Sequence, residues 1–110
     1  MFYKKDSADY ISPLAGVRQK TLVYGENTLM TEFLLTGGSK LPMHQHPHEQ
    51  TGYLVSGKLQ MFIGDQSFLA EPGDSWCIPG KTVHGADALE DSTAVEVFSP
   101  CRKEYLPEGR

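Results

Sequence analysis

Apolar residues along the chain gather in short runs rich in β-branched, aromatic and aliphatic side chains, separated by polar stretches that carry glycine and proline. The runs fall at residues 20–24, 29–35, 52–55, 59–63, 67–70, 75–78 and 94–98, each of strand length. Turn chemistry bounds them, as at Gly25-Glu26-Asn27, Ser56-Gly57, Gly64-Asp65 and Pro72-Gly73. The 11 glycines and 7 prolines leave no window for a long helix. Short helical pieces are expected only near the N-terminus and around 102–106. Many short strands at near-regular spacing predict an all-β sandwich or barrel.

At 110 residues the chain has the length of one domain, expected to span 1–110 with its core at about 20–100. Its 39% apolar and 22% charged content indicates a folded protein rather than a disordered one. The net charge of −4 weighs against nucleic acid and against an anionic membrane as partner. A small anionic substrate stays open, because a local metal or arginine outweighs a weak overall field. The opening MFYKKDSADYIS has no apolar run of a signal peptide, and no stretch reaches the length of a membrane span. A cytoplasmic location is therefore expected. Cys77 and Cys101 lack zinc-site spacing and are read as buried or free thiols.

Three of the four histidines lie within five residues, in Leu41-Pro42-Met43-His44-Gln45-His46-Pro47-His48-Glu49-Gln50. On an extended chain His44 and His46 point to one face, and two converging imidazoles suit a borderline metal. Gln50 shares their parity and reaches back if the strand resumes beyond Pro47. His84 follows a Pro79-Gly80 turn and supplies a fourth ligand if it stands on a facing strand. Paired histidines in a loop are often only solvated, and a lone histidine is more often hydrogen-bonded than ligating. The surrounding pattern decides between these readings.

That pattern resembles the two motifs of the cupin superfamily. Gly38, His44, His46, Gln50 and Gly57 stand where the first motif has its glycine, H-x-H, acid and closing glycine. Gly73, Pro79 and His84 match the second. The resemblance implies a jelly-roll barrel, a double-stranded β-helix. The acid of the first motif is replaced by Gln50, Lys81 stands where the second motif has a glycine, and its late Asn is Ala88. The third ligand is read as Gln50, with Glu49 and His48 as alternatives. Three neutral imidazoles and a neutral amide leave the +2 charge of a divalent ion uncompensated, which keeps it a strong Lewis acid. Ni, Zn, Mn and Fe all fit such a shell.

Near the C-terminus, Glu96 and Phe98 share one face of a strand and Arg102 follows just after Pro100. If that face lines the barrel, an acid, an aromatic wall and a guanidinium meet there. Those parts bind a carboxylated sugar and move a proton. Otherwise Phe98 is simply core, and Glu96 and Arg102 are a solvated pair.

The combination of HQHPHEQTGYLVSGKL with FSPCRKEYL resembles the pectin-degradation cupins, which open unsaturated uronates released by pectin and alginate lyases. This resemblance implies metal ligands at His44, His46, Gln50 and His84, and catalytic roles for Glu96, Phe98 and Arg102. The family's acid is typically Asp, so the longer Glu96 is a departure. The implied activity is metal-dependent opening of a 4,5-unsaturated uronate to its linear keto form. The alternatives are a non-catalytic cupin that binds a sugar or other small molecule, and an Fe(II)-dependent dioxygenase. Resemblance also implies a homodimer, with residues 1–12 as candidate contact.

Overall fold

The computed structural model describes residues 1–107. Ten strands follow one another: β1 (Ile11–Leu14), β2 (Val17–Tyr24), β3 (Leu29–Leu35), β4 (Lys40–His44), β5 (Glu49–Ser56), β6 (Leu59–Ile63), β7 (Gln66–Ala70), β8 (Ser75–Ile78), β9 (His84–Ala88) and β10 (Ser92–Ser99). A single 3₁₀ turn at Lys103–Tyr105 is the helical element among the described residues. It falls where a short helix is expected, whereas the N-terminal residues form none. All seven predicted runs are strands. Three further strands escape composition: β1 and β4 carry Pro13 and Pro42, and β9 reads His-Gly-Ala-Asp-Ala, with few β-forming side chains.

The strands form two antiparallel sheets, of order β1-β2-β3-β10-β5-β8 and β4-β9-β6-β7. Together they make the all-β jelly roll expected above. β3 and β10 alternate strictly, with Leu29, Thr31, Phe33 and Leu35 of one strand and Ser92, Ala94, Glu96 and Phe98 of the other turned inward. Leu54 of β5 and Leu59 and Met61 of β6 close the core from both sheets. Each fully buried side chain of this size contributes about 1.5–3 kcal/mol.

Register then decides what neighbours what. Across the larger sheet, one inward row runs Leu29, Phe98, Gln50, Ile78. The next row runs Thr21, Thr31, Glu96, Gly52, Trp76. In the smaller sheet His44 pairs with His84, which in turn pairs with Ile63. Gly57, which closes the first motif, turns the chain between β5 and β6 at φ +95°, where a Cβ would sit 2.2 Å from Ser92 Oγ. The motif glycine is thus a backbone requirement that brings β6 beneath β10.

Candidate metal centre and its cavity

β4 ends at His44, and the chain passes through His46 in a loop before β5 resumes at Glu49. This brings His44, His46 and His84 together, with one ring nitrogen of each within 4.8 Å of the others. His84 stands beside His44 in the same sheet rather than on a facing strand. The facing sheet contributes Gln50, the first inward residue of β5.

Backbone carbonyls set the tautomer of these three histidine rings. Nδ1 of His44 donates to Pro42 O at 2.9 Å, that of His46 to His48 O at 3.1 Å, and that of His84 to Thr82 O at 2.8 Å. A carbonyl only accepts, so each Nδ1 carries the proton and each neutral ring keeps its lone pair on Nε2. Burial holds the His84 pKa down at about 4, and burial followed by the nearby Arg102 charge lowers that of His46. Both rings therefore favour the neutral, ligating form.

Two atoms of the donor set bear on whether it suits a cation. His84 Nε2 is buried with no hydrogen-bond partner. His46 Nε2 faces Gln50 Oε1 at 3.0 Å. Oriented with its oxygen to His46, the amide leaves its NH₂ for the side of Glu96, whose pKa Gln50 lowers. Two lone pairs then face each other in a buried site, an arrangement that a shared cation relieves. The residues fit a divalent ion held by His44, His46, Gln50 and His84. Glu49 is exposed, and His48 is half-buried outside the three-histidine group.

Above this cluster, Glu96 is 6% exposed and its pKa is pushed up to about 7, by burial first, against the hydrogen bonds from Gln50 and Trp76. Trp76 Nε1 donates to its two oxygens at 3.0 and 3.2 Å. Phe98 is fully buried, its ring centroid 5.7 Å from that of His46. The Arg102 guanidinium lies 5.1 Å from the Phe98 centroid and 4.2 Å from that of Tyr105, while its Nε donates to Glu104 at 2.5 Å. A cavity of about 340 Å³ is bordered by His44, His84, Gln50, Glu96, Phe98 and Arg102. Phe98 is therefore both core and cavity wall. Glu96 faces inward, not out to solvent.

Sequence reasoning passed over Trp76 and Gly52. The available signal was the glycine in mid-strand, which marks a close approach of another group. Cys77 and Cys101 are free thiols, as expected, although Cys77 is exposed.

Comparison with known proteins places this architecture. The family model of the cupin domain matches residues 31–100. The chain belongs to the cupins. KdgF from Halomonas sp. is 30% identical with a TM-score of 0.91, the match covering 96% of this cupin and 100% of that chain. An RmlC-like cupin from Shewanella frigidimarina is 21% identical with a TM-score of 0.90, covering 96% of this chain and 95% of that one. A mutant salicylate 1,2-dioxygenase from Pseudoaminobacter salicylatoxidans shares the fold at 12% identity and a TM-score of 0.76, over 81% of this cupin and 27% of that chain. A search of curated proteins found no match. No helix among the described residues of this cupin is long and apolar enough to cross a membrane.

The raised Glu96 pKa makes a stability prediction for the metal-free cupin. An acid whose pKa is higher folded than unfolded stabilises fully below the unfolded value, here 4.5, and loses that contribution as pH rises toward 7. The loss amounts to about 3 kcal/mol. His84 acts in the opposite sense, since its lowered pKa costs stability as pH falls from 6.5 to about 4. The two limbs offset one another in the wild type. In a chelator, Glu96→Gln is expected to match the wild type near pH 4 and to exceed it by about 3 kcal/mol at pH 8. Denaturant midpoints at the two pH values check this, and an equal difference at both would remove Glu96 from the pH dependence.

Proposed function

We propose that this cupin is a metal-dependent enzyme that opens a 4,5-unsaturated uronate to its linear keto form. The observation that carries the reading is the inward Glu96 carboxyl, one hydrogen bond from Gln50 at the histidine cluster and bordering the cavity. A module that only binds a sugar acid has no need of a buried acid titrating near neutrality. The HPHEQ and FSPCRKEYL segments, which resemble those of the pectin-degradation cupins, support the substrate class, and the likeness to KdgF over that protein's whole length is in keeping with it.

When bound, a divalent ion supplies the Lewis acidity that polarises a substrate oxygen. Arg102 binds the uronate carboxylate, and the sugar ring packs on Phe98. Glu96 takes the proton of the anomeric hydroxyl as the bond between the anomeric carbon and the ring oxygen breaks. The electron pair of that bond leaves with the ring oxygen as an enolate. Glu96 returns the proton to the former vinyl carbon, giving the keto form. Atoms and electrons balance with no oxidant. A homodimer belongs to the same proposal, with the β1 sheet edge and its exposed Ile11 and Leu14 as its surface.

The test follows the vinyl-ether ultraviolet absorbance of an unsaturated uronate mixed with protein loaded with Ni, Zn, Mn or Fe(II). Metal-dependent loss well above uncatalysed ring opening is the expected result. No acceleration with any of the four ions overturns the reading in favour of a binding cupin, or of a dioxygenase if oxygen is consumed.

A further inference from the structure

We propose that the Trp76 indole N–H is a positioning group for the metal centre, fixing Glu96 so that Glu96 in turn holds the Gln50 oxygen toward the histidines. The inference rests on the reading of Gln50 as a metal ligand.

An amide is nearly symmetric in shape, so hydrogen bonding rather than packing decides which end faces the ion. Two acceptors compete for the Gln50 NH₂. One is His46 Nε2, at 3.0 Å from the present amide oxygen, and the other is the Glu96 carboxylate. If His46 won, the amide would present NH₂ groups to the cation, and those cannot ligate. The Glu96 oxygen wins only while it is held in place.

Trp76 does the holding. Its N–H spans both Glu96 oxygens, reaching them across Gly52 in the same inward row. A Cβ at position 52 would lie 2.2 Å from Trp76 Nε1 and 2.3 Å from Glu96 Oε2. The missing side chain is thus the space in which the bond forms. Without the indole donor, that same space lets the carboxylate turn away from Gln50. Outer partners that orient a ligand typically govern 10–100-fold in metal affinity.

Zinc titration of chelator-stripped protein tests the chain of contacts. Trp76→Phe keeps an aromatic ring and removes the donor, so zinc should bind about 10-fold more weakly than to the wild type. In a Gln50→Ala background the same change should have no further effect, because the amide it positions is gone. Unchanged affinity in the first comparison overturns the inference and leaves the metal reading standing. Equal losses in both backgrounds also overturn it, since they mark Trp76 as packing alone. A wild type that binds no zinc overturns both.

Trp76 is the single tryptophan, so its emission gives a readout that needs no change at position 76. Saturating zinc, which has no unpaired electrons to quench, should shift the emission of the wild type and leave that of Gln50→Ala unmoved. Constant emission in the wild type overturns the proposal.

Discussion

Glu96→Gln is expected to lower kcat for uronate ring opening by about 10³-fold while leaving zinc stoichiometry intact. The substituted amide has the shape of the carboxyl it replaces. Its oxygen still accepts from Gln50, so the ligand orientation survives, but it takes up no proton at any working pH. The lost contribution is therefore the proton transfer alone. KM should move little, because the proposed mechanism has Arg102 and the ion, not Glu96, hold the substrate. The separation matters, since a general failure of the site would raise KM and strip the metal together. Ultraviolet assay beside metal analysis decides it. Turnover within a few-fold of the wild type removes Glu96 from the mechanism and leaves its buried carboxyl as a purely structural acceptor.

The fold was legible because strand-forming runs and their turns are local. Residues such as Thr31, Phe33 and Leu35 announce an alternating strand whatever they later pack against. β4 and β9 were not legible for the same reason. Pro42, Gly85 and Ala86 are poor strand formers, and tertiary pairing of His44 with His84 imposes the strand on them. The three-histidine group was legible in its members and not in its layout. Spacing brought His44, His46 and Gln50 forward, while the resemblance singled out His84. Only register shows that His84 shares a sheet with His44 and that Gln50 comes from the other one. Trp76 lay beyond reach altogether. Its partner Glu96 is 20 residues away in sequence, and the contact crosses a glycine whose importance is visible only as the space it leaves.

His84→Ala is expected to weaken zinc binding by more than about 100-fold, beyond the range seen for outer-sphere partners. The ring is 4% exposed, its Nδ1 is anchored to Thr82 O, and its Nε2 is buried without a hydrogen-bond partner. A lone pair so placed, beside the rings of His44 and His46, is open to a cation. Removing the ring costs some packing and one hydrogen bond but also removes the unsatisfied atom, so the metal-free variant should stay within about 1 kcal/mol of the wild type. The contrast comes with metal. Zinc at 100 times the wild-type Kd stabilises the wild type by about 2.7 kcal/mol, whereas a 100-fold weaker site gains only about 0.4 kcal/mol at the same concentration. Denaturant unfolding of both proteins, with zinc and with chelator, yields the four values needed. A variant that keeps the full zinc-dependent gain would place His84 outside the ligand set and make its buried Nε2 a cost that the fold bears without return. Loss of the gain at unchanged metal-free stability would assign that nitrogen to the ion.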